Sequence, residues 1–377
     1  HFFGCKDDEL TVRWTQFGVF APITRLHSSD GPFNTREPWR YGERARRVMT
    51  SFLRLRHRLV PYLYTMNRRA HVDGEPLVQP MYYAHPDDAD AYRVRNQYLF
   101  GDRLLVAPIT TPADRATGLG SVRAWLPPGR WTDVFTGVTY RGGTTILLHR
   151  DLDTIPVLAP AGAILPLAAD AQQGVANPEA LELRVYAGAD GEFTLAEDQD
   201  DERWALTRFT LTGDELRIHP VEGEHGSVPA TRRYDVVLCG FAGVTAVEVD
   251  GIEQPTVPGP VPDGVVRRGP TDRGDPTAVL PSRNVPGSVS VHLPSVAAAE
   301  GAVLRLVGDS AAAGNRDIPE RLFALLDAAQ IELSTKDRVH WAVTTHEPAR
   351  AVPALAALDL PQPLFTAVVE LLLADYG

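Results

Sequence analysis

The sequence predicts a mixed fold, in which a helix-rich opening and a helical tail flank two blocks of β-structure. Three observations predict it. Apolar residues recur every three or four positions over residues 41–70 and again after residue 318. Between them, short apolar runs are separated by Gly and Pro turns, the punctuation of β-sandwiches. The 31 prolines and 31 glycines among 377 residues also favour a turn-dense architecture over a long helical bundle. At ~150 residues per domain, this length allows two or three domains.

The bulk numbers exclude several classes of function. Hydrophobic residues make up 44% and charged residues 23%, which is ordinary globular usage, so the chain is not disordered or collagen-like. A net charge of −11 argues against general binding to nucleic acid or to an anionic membrane. The two cysteines, Cys5 and Cys239, exclude a disulfide framework, and no Cys/His cluster suggests a structural zinc site. There is no basic-then-apolar leader and no run of 18 apolar residues, which gives the expectation of a cytoplasmic protein. The chain starts with His1 rather than Met, which gives the expectation of a fragment or a processed chain.

Taken in order, residues 11–23 read as a helix leading into a buried strand at 17–23, a nearly continuous apolar run of the kind parallel strands show. Residues 41–70 form the clearest helix, carried by Ala45, Met49, Phe52, Leu59, Leu63 and Met66; Arg56 fills one apolar slot and Pro61 should interrupt the helix. Ten arginines between Arg36 and Arg69 face only Glu37 and Glu43 locally. Without a nucleic-acid motif beside them, they read as a face whose acids come from elsewhere in the fold. Strands are expected at 104–109, 123–127, 131–135 and 144–148, and then at 181–186, 193–195, 208–211, 234–238, 244–249 and 303–307. Residues 258–287 read as a long surface loop. Helices are expected at 318–329, 351–358 and 364–374, with Pro353 in an early turn or a link.

Residue-level chemistry is sparse. There is no P-loop, H-E-x-x-H or G-x-S-x-G, and Gly118-x-Gly120 lacks a third glycine. His57, His71 and His85 are evenly spaced but fall on different predicted elements. Residues 197–202 are acidic but lack EF-hand spacing, and read as a solvated hairpin turn. Asp7, Asp8 and Glu9 read as acids serving a helix N-terminus.

A series of blocks carries a more specific signal. His1-Phe2-Phe3-Gly4-Cys5-Lys6-Asp7-Asp8-Glu9-Leu10 leads into Arg13-Trp14-x-Gln16-Phe17-Gly18-x-Phe20-x-Pro22, then Arg25-Leu26-His27-Ser28 and Glu37-Pro38-Trp39. Further on come Tyr98-Leu99-Phe100-Gly101-Asp102-x-Leu104-Leu105-Val106-Ala107-Pro108, Leu126-Pro127-x-Gly129-x-Trp131 and Ala161-Gly162-Ala163-Ile164-Leu165-Pro166. Gly188-Ala189-Asp190-Gly191-x-Phe193-x-Leu195-x-Glu197-Asp198 completes the series. Together they resemble family-31 glycoside hydrolases, the α-glucosidase and α-xylosidase family, over roughly residues 1–250.

The resemblance implies the end of a (β/α)8 barrel over 1–97, a proximal β-sandwich over 98–170, a distal β domain over 171–308 and a helical tail over 309–377, for which the family offers no counterpart. It implies a retaining hydrolase acting on α-glucosides or α-xylosides, with two carboxylates about 5–5.5 Å apart. The family's nucleophile lies in a W-x-D-M-N-E-like run, which is found nowhere in this sequence. Nucleophile and acid/base are therefore expected upstream, no catalytic residue is assigned here, and the chain alone is expected to be inactive. The resemblance carries over one substrate-binding residue, His27, whose R-x-H pattern ends the eighth barrel strand, where barrel sites are built. Arg25 is expected to order that strand end by pairing with an acid, and Trp14 and Trp39 are expected to pack. Phe2, Phe3 and Cys5 depart from the family's pattern. No cofactor or metal is implied. The expected partner is an α-linked oligosaccharide or glycoside, not nucleic acid or a membrane, with a homo-oligomer left open. The alternative is a non-catalytic carbohydrate-binding or scaffolding module. An isolated barrel remnant over 1–90 is expected to pack poorly.

Overall fold

The computed structural model describes residues 5–28, 31–171, 177–199, 203–258, 287–315 and 317–375. The start of the resemblance at 1–4, the acidic residues 200–202 and most of the expected loop at 258–287 lie outside the described residues.

Helix α1 (Asp8–Val19) opens on the acidic triplet. Asp7 is its N-cap and accepts from the Leu10 amide at 2.9 Å, while Asp8 accepts from the Gly42 amide at 2.9 Å. These carboxylates satisfy free N–H groups and complement the helix dipole, as the sequence suggests. The strand expected over 17–23 does not form. The helix continues through Phe17 to Val19, and the chain then runs as irregular backbone to residue 28. A central parallel strand is held by neighbours on both edges, and residues 17–23 pair with no strand among the described residues. The helix instead buries Val12 and Val19.

The long predicted helix is two helices, α2 (Glu43–Arg58) and α3 (Val60–Val72), with the break at Leu59. Pro61 sits in the first turn of α3, where its missing N–H costs nothing. The arginine run finds its acids across the fold. Arg44 reaches Asp151 and Asp153, Arg47 reaches Asp153, Arg58 reaches Glu182 at 2.8 Å, and Arg69 reaches Asp102. Short helix α4 (Met81–Ala84) follows.

Six short strands form an open sheet in the order Val78–Gln79, Tyr98–Phe100, Leu104–Val106, Val157–Pro160, Arg130–Asp133 and Thr139–Arg141. Gly120–Leu126 and Thr144–Arg150 pair as a separate ribbon. A five-stranded sheet is centred on Thr231–Cys239, which pairs in parallel with Ala180–Tyr186 and antiparallel with Val289–Ala297. A seven-stranded antiparallel sheet runs from Gly191–Glu197 through Ala205–Thr212 and Glu215–Ile218 to Ala302–Ala312 and Phe241–Val249. Strands 215–218 and 289–297 add to those the sequence predicts.

One apolar core runs from Val12 in α1 through Phe52, Tyr62 and Phe100 to Val236 and Leu306. The described residues among 1–90 are thus packed against the β-structure, with Tyr62 stacked on Phe193 at 5.8 Å and its hydroxyl donating to the Phe100 carbonyl at 2.7 Å. Cys5 is exposed and Cys239 is buried in this core, both unbridged; burial pushes the Cys239 thiol up to about 12.

The tail comprises α5 (Ile318–Ala328), α6 (Leu333–Thr344), α7 (Pro348–Ala356) and α8 (Gln362–Leu373), with its own core around Leu322, Val339, Leu355 and Val368. Helix α6 adds to the sequence expectation. Pro353 lies inside α7 rather than in an early turn or a link. Helix α8 docks on the 144–150 strand around one buried carboxylate, with Thr366 Oγ1 3.0 Å from His149 Nε2 and the Ala374 carbonyl accepting from the Arg141 amide at 2.8 Å as further contacts. Glu370 accepts from Tyr140 Oη (2.7 Å), the His149 amide (2.7 Å) and Arg150 Nη1 (2.9 Å), and pairs with His149 Nδ1 (2.8 Å). Asp133 holds the other side of Arg150 at 2.7 Å.

Candidate functional site

The segment that carries the predicted site residues begins where α1 ends. Three carbonyls leave that helix in quick succession, and one guanidinium takes all three. Arg56 of α2 donates to the carbonyls of Val19 (2.8 Å), Ala21 (2.6 Å) and Pro22 (2.7 Å). Tyr98 Oη donates to the Phe20 carbonyl at 2.7 Å. Backbone that makes no ladder is thereby satisfied by side chains, and its path is set by α2. Burial lowers the Arg56 pKa. The sequence reading did not assign Arg56 a role, yet its signal was visible: it is the one arginine in an apolar slot of the 41–70 pattern.

Beyond this anchor, residues 25–28 are exposed. Arg25 Nη2 lies 3.1 Å from His27 Nδ1. A guanidinium only donates, so Nδ1 is the acceptor and the ring proton sits on Nε2. His27 therefore presents one outward N–H donor of defined tautomer. Among the described residues Arg25 contacts His27, and the strand whose end it is expected to order does not form.

A cleft of about 540 Å³ lies beside α1, lined by Leu10, Trp14, Phe17, Tyr98, Ile109 and a polar rim that includes Arg95 and Asn96. The lining does not include His27. Trp14 and Trp39 do not pack as expected: they are 70% and 71% exposed, and the Trp14 ring meets only the edge of the core at Phe17, 5.8 Å away. Ile23 at 85% and Phe33 at 89% exposed lie on the same stretch of chain. No group of three or more His, Cys, Asp or Glu among the described residues could hold a metal ion, and no described helix is long and apolar enough to cross a membrane.

Paired helices are laid on β-sheets, and the segment that leads into them carries the exposed histidine. The glycosyl hydrolases family 31 TIM-barrel domain matches residues 2–66, and the glycosyl hydrolase family 31 C-terminal domain matches residues 74–165. Over these residues, fewer than half of the chain, it is similar to glycosyl hydrolase family 31. It is 31% identical over 258 residues to alpha-glucosidase 2 of Bacillus thermoamyloliquefaciens, covering 65% of this chain and 32% of that protein. It is 34% identical over 195 residues to the alpha-xylosidase of Saccharolobus solfataricus, covering 50% of this chain and 25% of that protein. The chain thus spans a third or less of the length of these relatives. Among solved structures, a Flavobacterium johnsoniae family-31 dextranase complexed with isomaltotriose superposes with a TM-score of 0.62 at 25% identity, covering 79% of this chain and 37% of that one. The Xanthomonas citri alpha-xylosidase gives 0.55 at 30% identity, covering 62% and 26%.

Proposed function

We propose that this chain is the C-terminal portion of a retaining α-glycoside hydrolase acting on α-glucosides or α-xylosides, with the nucleophile and acid/base carboxylates supplied from outside its 377 residues. The observation that carries the reading is the order of the two family segments, barrel then C-terminal domain, with the R-x-H tripeptide inside the first. In this reading His27 Nε2–H donates to a sugar hydroxyl in the subsite where cleavage occurs, and Arg25 is a positioning residue that fixes the tautomer. The exposed apolar side chains Ile23, Phe33 and Trp39 support the same reading, because other barrel elements would cover them. The barrel end and the sandwich packing of the two β regions belong to this proposal, as does a cytoplasmic location.

Retention requires two carboxylates at roughly 5–5.5 Å acting in sequence. No W-x-D-M-N-E-like run is present, so the 377 residues alone should not turn over 4-nitrophenyl α-glucoside. Turnover that survives purification of this chain to homogeneity would overturn the division of labour. An upstream coding region without such a run, or with an unrelated domain, would favour a non-catalytic module.

A further inference from the structure

The connection between the strands Val78–Gln79 and Tyr98–Phe100 displays three tyrosines in a fixed arrangement. Met81 and Ala91 anchor its two ends in a buried cluster that also holds Trp125. Between them, Tyr82 and Tyr92 lie face to face, with ring centroids 5.0 Å apart and planes 8° from parallel. Tyr83 meets Tyr82 at 5.5 Å and 66°. The arrangement is braced from below. Tyr92 Oη donates to the Pro86 carbonyl at 3.0 Å, and the Asp88 carboxylate accepts from the Asp90 amide at 2.9 Å, capping the turn that presents Tyr92. Yet Tyr83 is 60% and Tyr92 58% exposed, so each keeps ring surface open to solvent. Aromatic rings held this firmly usually bury that surface against something.

The rim indicates what that something is. Asp90 and Arg93 pair at 3.0 Å on the exposed side of the turn and leave further donor and acceptor capacity beside the rings. A pyranose has the matching chemistry: a face of C–H groups that lies on an aromatic ring, and a hydroxyl edge that needs both donors and acceptors. Three tyrosines carry roughly 450–750 Å² of side-chain surface, part of it covered by their own stacking, which leaves less than the ~800 Å² per partner of a stable protein interface. Acids at the rim and a chain charge of −11 disfavour nucleic acid.

We propose that Tyr83 and Tyr92 form a glucan-binding site that holds an α-linked glucose chain by stacking pyranose rings on the tyrosine faces. The choice of an α-glucan rests on the hydrolase reading, whereas the platform geometry is independent of it.

Native electrophoresis of the full chain in gels containing soluble starch or dextran tests the proposal. Retardation in at least one glucan is expected, with an apparent dissociation constant raised at least tenfold in Y83A/Y92A. Y92F keeps the ring and loses only the bond to Pro86, so it should stay retarded. Matching thermal midpoints for the variants establish that folding is intact. The proposal is overturned by an unretarded parent chain or by equal retardation of Y83A/Y92A. A concentration-dependent dimer that Y83A/Y92A abolishes without any glucan retardation would overturn it in favour of a second copy of the chain. Failure of the hydrolase reading is seen separately, as absent α-glucoside turnover by a protein that includes the upstream barrel.

Discussion

Replacing Glu370 with Ala should loosen the docking of helix α8 while leaving the two large sheets folded. The carboxylate is almost fully buried and satisfies Tyr140, His149 and Arg150 together. Removing one partner of a buried ion pair typically costs about 3–5 kcal/mol, because the other charge is left uncompensated. Here Arg150 keeps Asp133 at 2.7 Å, which offsets part of that loss. Two stranded groups, the Tyr140 hydroxyl and the His149 amide, add about 1 kcal/mol each. A local cost of about 3–4 kcal/mol follows, falling on the docking of α8 rather than on the tail's own core, which the mutation does not touch. The pH dependence has a defined sign. Burial alone would raise the Glu370 pKa, but Arg150 and the bonds from His149 and Tyr140 outweigh it and hold it below the ordinary glutamate value. A depressed folded pKa means that the stabilisation is complete above the unfolded value of ~4.3 and is lost as pH falls through the folded one. Hydrogen exchange resolved by segment is the assay. Residues 362–373 should gain exchange in E370A at pH 7 while 180–186 and 231–239 stay protected, and as pH falls below the unfolded value and through the depressed folded one the parent should approach the variant. Uniform protection across the tail in E370A, or a cost under about 0.5 kcal/mol, would refute the assignment of docking to this carboxylate.

Other perturbations follow from the same packing. Arg56→Ala removes three bonds to the carbonyls of Val19, Ala21 and Pro22, and should cost about 2–3 kcal/mol; exchange should rise first over residues 20–28. Gly101 has φ +62°, and a Cβ there would lie 2.1 Å from the Tyr62 hydroxyl, so Gly101→Ala should lower urea stability by about 2–4 kcal/mol. Arg25→Leu should leave stability within about 0.5 kcal/mol, because both it and His27 are exposed, while shifting the His27 ring signals in a nitrogen-detected NMR spectrum as the tautomer is released.

Much of the scaffold was legible because it depends on local pattern. The alternating runs at 181–186 and 208–211 extend to the strands Ala180–Tyr186 and Ala205–Thr212, and Pro61 divides the long helix where its missing N–H requires. The arginine run also read correctly, since ten like charges with no motif need partners somewhere. What escaped depends on tertiary context. Residues 17–23 carry a strand-like run, but a strand needs neighbours, so the helix kept Phe17 to Val19. Helix α6 buries only Val339, Ala342 and Val343 while Trp341 faces solvent, which leaves its periodicity weak. The Glu370 cluster joins residues more than two hundred positions apart, which no spacing rule connects. At the site, the R-x-H tripeptide was legible, and so was Arg56 as an arginine in an apolar slot, whereas the carbonyls that it anchors and the His27 tautomer emerge only from the fold.

The most direct measurement follows the anomeric proton signals as a protein carrying these 377 residues together with its upstream coding region cleaves 4-nitrophenyl α-glucoside and α-xyloside. The account predicts that the α-anomer appears first, that the 377 residues alone give no cleavage, and that H27A lowers kcat/KM about 10- to 100-fold, corresponding to the loss of one hydrogen bond strengthened in the transition state. First appearance of the β-anomer, or unchanged kcat/KM in H27A, would contradict it.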